Sequence, residues 1–125
     1  MGAKAFNELI SVLTDQAEQI QRLETLAETL VEDPQQLQRY RAILEEKARI
    51  LSGIARLVTP IMRKIPSEEA DPIQQTLNRF SQSATTAMRI GSPFYMSALL
   101  YPQDHQVGEP NDLELFIEQL RQVEK

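Results

Sequence analysis

The stretch AKAFNELISVLTDQAEQIQRLETLAETLVEDPQQLQRYRAILEEKARILSGIARLVTPIMRK, residues 3–64, decides the fold. Its apolar residues fall on two tracks: Phe6, Leu9, Leu13, Gln16, Ile20, Leu23, Ala27, Leu30, and then Leu37, Tyr40, Leu44, Lys47, Leu51, Ile54, Val58, Ile61. Along both, steps of 3 and 4 residues alternate without a break, which is the seam of one helix packing on another at a shallow angle. A strand would alternate by two. Between the tracks stands Asp33-Pro34. A carboxylate at Asp33 can accept from the orphan amides of the following turn, and proline at the first helical position gives up a donor that has no partner there. Helix 1 is therefore expected to stop near Val31 or Glu32 and helix 2 to start at Pro34, with a connection so short that the two run antiparallel.

Charge and burial both favour this hairpin. Residues 1–33 hold seven acids against Lys4 and Arg22, and residues 34–66 hold seven bases against Glu45 and Glu46, so arms of −5 and +5 lie side by side. Exposed pairs contribute only about 0–1 kcal/mol each, so the register rests on the apolar layers. Folding at the turn sets Leu30 near Leu37, Leu23 near Leu44, Leu13 near Ile54 and Phe6 near Ile61. Gln16 and Lys47 interrupt the tracks. Lys47 is expected to run its stem along the seam and carry its ammonium out to the rim; the other reading is a polar seam position that fixes register at some expense in stability.

Composition narrows the class. A chain of 125 residues, 42% hydrophobic and 25% charged, makes one small domain with a real core. The absence of cysteine removes disulfides and thiolate chemistry. No run approaches a membrane span, and the N-terminus opens on an amphipathic pattern instead of a signal-peptide core, so no membrane insertion and a cytoplasmic protein are expected. A net charge of −5 and a pI near 4.9 argue against a nucleic-acid module, which carries a basic face.

Beyond the hairpin, Pro60 is expected to kink or end helix 2 around Leu57–Thr59. Arg49, Arg56 and Arg63 fall on its outer face and read as a solvated stripe. Ser67 and Asp71-Pro72 both offer a start for a third helix, whose face is Ile73, Leu77, Phe80, Ala84 and Ala87 and whose end is marked by Gly91 and Pro93. Ser81, Ser83, Thr85 and Thr86 weaken its propensity, so packing must hold it. Residues 94–101 are the most apolar stretch, without a clear period: a short helix or an extended segment, either closing the open end of the bundle or left exposed for a partner. Gln103 to Pro110 reads as a polar loop in which His105, the only histidine, is exposed. Asn111 and Glu114 are spaced as a capping box at the head of a last amphipathic helix with the stripe Leu113, Phe116, Ile117, Leu120 and Val123. That helix is too short to stand alone in water. The fold class is all-α, one helical domain over 1–125: a long antiparallel hairpin at 3–64, a third helix at 67–91, an apolar connector at 94–102 and a C-terminal amphipathic helix at 111–125, together a three- to four-helix bundle.

Chemistry is hard to place on this chain. Di-metal bundles need Glu-x-x-His pairs on two helices, and zinc sites need Cys or His clusters. Adjacent acids such as Glu45/Glu46 and Glu68/Glu69 do not face each other on a helix. No catalytic residue, metal ligand or cofactor site is assigned, and a non-enzymatic protein is expected.

The run Leu37-x-x-Tyr40-x-x-x-Leu44-x-x-Lys47-x-x-x-Leu51-x-x-Ile54, behind a long Leu- and Gln/Glu-rich first helix, resembles the FlgN family of flagellar export chaperones; Leu77-Asn78 echoes an Asn-Leu region of that family. The resemblance covers about half the chain, and the chain departs from it after Tyr101-Pro102, where a further helix follows. It implies a cytosolic helical chaperone that covers terminal helices of unassembled axial subunits, those of the hook–filament junction, by helix-in-groove binding. Phe94, Tyr95, Met96, Leu99, Leu100 and Tyr101, with Phe116, Ile117 and Leu120, are the partner-binding residues under this reading. The rival is a structural or adaptor bundle in which the same apolar stripe pairs with a second copy as a homodimer.

Overall fold

A computed structural model describes residues 2–106 and 108–124; Met1, Val107 and Lys125, which fall within the expected domain, polar loop and last helix, lie outside the described residues. Its described residues form an all-α bundle of seven α-helices: α1 Gly2–Leu30, α2 Leu37–Ser52, α3 Ile54–Leu57, α4 Thr59–Met62, α5 Ser67–Ile90, α6 Pro93–Ala98 and α7 Asp112–Glu124.

The turn between α1 and α2 works as its chemistry dictates. Asp33 caps it, its carboxylate accepting from the Gln35 amide at 3.0 Å, with Pro34 at the first helical position. Pro34–Gln36 is a single 3₁₀ turn that hands over to α2 at Leu37. The arms then run antiparallel: Phe6, Leu13, Ile54 and Ile61 share one core, and Lys64 meets Glu8 across the arms at 3.4 Å. Leu37 departs from the expected layering. It is 51% exposed, because the 3₁₀ turn ahead of it rotates the first residue of α2 away from Leu30.

The second arm is not one helix. It breaks at Gly53 and again at Val58. The Val58 break sits where Pro60 removes an amide from the ladder. The break at Gly53 has a different cause. Ala55 N–H would ordinarily donate to the Leu51 carbonyl four residues back. Instead the Ser81 hydroxyl of α5 stands between them, donating to Leu51 O at 3.0 Å and accepting from Ala55 N at 3.2 Å. A side chain inserted into the helical ladder bends it.

Four columns close into a ring of alternating direction. α5 runs back along the second arm, with Ser81 against Leu51–Ala55 and Ala87 in one cluster with Leu44 and Ala48. α7 returns along α1, Arg121 reaching Thr14 at 3.4 Å. Phe80 of α5 meets Phe116 of α7 edge to face, centroids 6.2 Å apart, and shuts the ring. α5 begins at Ser67 with Pro72 inside its early turns, and ends on Gly91, whose φ of 73° only glycine adopts without strain. The capping box at α7 is complete: Glu114 N donates to Asn111 Oδ1 and Asn111 N donates to Glu114 Oε1, each at 2.9 Å.

Docking of α7 settles what its stripe covers. Leu113, Ile117 and Leu120 are buried against the chain's own core, whereas Leu115 and Val123 face out. Leu120→Asp is therefore expected to lose about 3 kcal/mol or more in urea unfolding, since it places an unpaired carboxylate in the core. Val123→Asp, at an exposed position of the same helix, stays within about 0.5 kcal/mol of the parent.

Candidate functional site

The end of the bundle at the Asp33 turn holds the one buried ammonium among the described residues, at Lys47. Lys47 is 1% exposed there. Its ammonium does not reach the rim as the sequence suggests, because the connector lies over it and supplies partners. Nζ sits 2.9 Å from Glu24 Oε2 on α1, donates to the Ser97 carbonyl of α6 at 3.0 Å, and lies 5.1 Å from the centre of the Tyr101 ring. Tyr101 O–H donates to the other Glu24 oxygen at 2.7 Å. The approach of Nζ to Oε2 is ionic, and Oε2 has no directed donor among the described residues.

Burial decides the electrostatics. It holds the Lys47 ammonium below its ordinary pKa, and the Glu24 carboxylate works against that shift. Burial first, and then the hydrogen bond to Glu24, push the Tyr101 phenol above its ordinary value. The connector itself is held under strain. Leu100 takes a φ of 77°, a left-handed conformation that typically carries about 1–2 kcal/mol for a branched residue. Burial of its side chain and a 2.9 Å bond from Asp112 N to its carbonyl keep it there. His105 is half-buried, not the exposed loop histidine the sequence suggests: its ring stands edge-on to Tyr101 with centroids 4.8 Å apart, and Nε2 lies 2.9 Å from the Glu109 carbonyl. Beside this group opens a cleft of about 730 Å³, reaching Tyr40, Glu28 and Glu114.

A second, apolar feature lies on the far side of α6. Ser92 caps this short helix by accepting from Tyr95 N at 3.3 Å. One face then turns inward with Met96, and the other carries Phe94 at 72% and Tyr95 at 52% exposure, their rings edge to face at 5.7 Å. Ile90, at the end of α5, is 57% exposed. Between α5 and α6 runs a groove of about 430 Å³, floored by Ala87 and Leu99 and edged by Ser83, Thr86, Ile90 and Tyr95.

Of the nine residues expected to bind a partner, Phe94 and Tyr95 are open to one. Leu99, Tyr101 and Phe116 are half-buried. Met96, Leu100, Ile117 and Leu120 are core, at 1%, 7%, 4% and 4% exposure, because α6 turns one face inward and α7 docks on α1. Ile90 had no sequence signal: it falls off the α5 seam and directly before the terminating glycine. Glu24 had one, standing one helical turn from the residue that the turn sets opposite Lys47.

Removing one member of the buried pair leaves the other charged and uncompensated. Lys47→Met is expected to lose about 3 kcal/mol in urea unfolding, the low end for a buried pair because Glu24 keeps some access to water, and Lys47→Met with Glu24→Leu to regain most of it. Folding favours the protonated Tyr101 phenol, so its stabilisation is whole below its ordinary pKa of 10.0 and is lost as pH rises beyond it. The parent should therefore lose stability from about pH 10 upward by as much as about 1.4 kcal/mol per unit, and Tyr101→Phe should lose less over the same range. Comparison of the chain with protein-family models, curated proteins and solved structures gives no match.

Proposed function

We propose that this chain is a non-enzymatic cytoplasmic chaperone of the flagellar export kind, which holds a terminal helix of an unassembled axial subunit against the groove between α5 and α6. The observation that carries the reading is the shelf of Ile90 and Tyr95, which line the groove, with Phe94 against Tyr95 beside it, three large apolar side chains left mostly open while the stripe of α7 is spent on the chain's own core. Contiguous exposed aromatic surface beside a groove is what an amphipathic helix needs in order to dock. The antiparallel hairpin with its Leu37-to-Ile54 run, on which the resemblance to export chaperones rests, supports the same reading. So does the absence, among the described residues, of any helix long and apolar enough to cross a membrane.

The test is a mixture of the purified chain with the hook–filament junction subunits of its own organism, read by size exclusion with light scattering. A one-to-one complex is expected. Phe94→Asp with Tyr95→Asp should weaken it at least about a hundredfold, since aromatic anchors each carry about 2 kcal/mol or more at an interface, with the circular dichroism spectrum unchanged because both side chains are exposed. No complex with the parent chain, or undiminished binding by the double variant, rejects the proposal.

A further inference from the structure

The charge around this groove says more about its occupant. From Pro72 to Tyr101 the chain holds Arg79 and Arg89 and not one aspartate or glutamate, so this segment stands at +2 while the remainder of a chain at −5 stands at −7. The groove edge on α5 is made by Gln82, Ser83, Thr86 and Ile90, all uncharged. Arg79 lies one turn before Ser83 on the same line of the helix, and Arg89 follows Gln82 by two turns on the outer flank. Both arginines are exposed. Arg79 donates to Thr76 Oγ1 at 3.2 Å, and neither arginine has a carboxylate partner among the described residues.

We infer that the groove between α5 and α6 takes an amphipathic helix of a partner protein whose apolar ridge is flanked by carboxylates, the ridge seating on Ile90, Phe94 and Tyr95 and the carboxylates pairing with Arg79 and Arg89. This rests on the proposed function and adds the partner's chemistry. Ten residues of α5 separate the arginines, a rise of about 15 Å, so the matching acids stand two to three turns apart on the partner. The apolar ridge supplies most of the affinity, and the arginines select for acids and exclude basic helices. A second copy of this chain is the poorer occupant. A two-fold pairing sets the same patch against itself and brings Arg79 and Arg89 toward their own counterparts.

Two synthetic helices of about 18 residues, roughly 27 Å long, test this: one leucine ridge, flanked by glutamate in the first and by lysine in the second. Binding to the full-length chain is read by fluorescence anisotropy at low and high salt. The glutamate peptide is expected to bind at least about tenfold tighter, the sum of exposed pairs gained in one and repulsions met in the other, with the gap closing in high salt. Arg79→Glu with Arg89→Glu should reverse the preference, and Ile90→Asp should abolish binding of both peptides. Failure of the glutamate peptide to bind, or equal binding of the two, overturns the inference. If equal binding is still lost in Ile90→Asp, the groove stands as a docking site and only the charge rule fails; if Ile90→Asp binds as the parent does, the groove itself is the wrong place. A dimer in light scattering that Ile90→Asp dissolves assigns the groove to a second copy and also overturns it.

Discussion

The pairing of Lys47 with Glu24 beneath Tyr101 is the constraint on which the turn end of the bundle depends. An ammonium that is 1% exposed must find partners or lose its proton. The partners it finds come from three separate parts of the chain: Glu24 from α1, the Ser97 carbonyl from α6 and the Tyr101 ring from the connector. Any slip of the hairpin, or any drift of the connector, would leave a charge buried without compensation. The group therefore sets the register of the two arms and the seat of α6 together. Well-packed apolar residues in place of a buried pair are often no less stable, so the apolar layers below remain the main source of stability.

α5 plays the corresponding part lower down. Its serines and threonines weaken it as a helix, yet Ser81 is the residue that enters the ladder of the second arm between Leu51 and Ala55. The bend lets α3 and α4 stay on the core, where Ile54, Val58 and Ile61 are buried, after the ladder has been broken. The alanines of the α5 seam, Ala84 and Ala87, bring the two helices close enough for the hydroxyl to reach.

Much of this fold is legible in the sequence because it is written in local spacing. The 3–4 alternation marks the two arms, Asp33-Pro34 the turn, Gly91 the end of α5 and Asn111 with Glu114 the head of α7. Each is set by neighbours within a turn or two of the chain. What escapes local reading is set by contacts across the fold. Gly53 alone does not announce a break; Ser81, far along the chain, makes it. Tyr101 looks like one more residue of an apolar connector until it is placed over Lys47. The apolar stripe of α7 has the same pattern whether it meets α1 or another protein, and only the docking distinguishes Leu120 as core from Phe94 as surface. The shelf itself is half legible: Phe94 and Tyr95 stand out as aromatic, and Ile90 does not.

The core is divided unequally. One cluster takes in α1 as far as Ile20 with the second arm from Leu51, α5 and α7, and the other, at the turn end, has as its buried members Ala27, Ile43, Leu44, Ala48, Ala87 and Met96, half of them alanine. The larger side chains packed on that tip, Leu23, Leu30, Tyr40, Met88 and Leu99, are only partly buried, so its closure rests on groups still in reach of water. The Lys47 ammonium ties α6 to this end through the Ser97 carbonyl. The groove thus opens beside the smaller cluster, with Ala87 and Leu99 belonging to both, so whatever seats in it bears directly on the side chains that close the turn end.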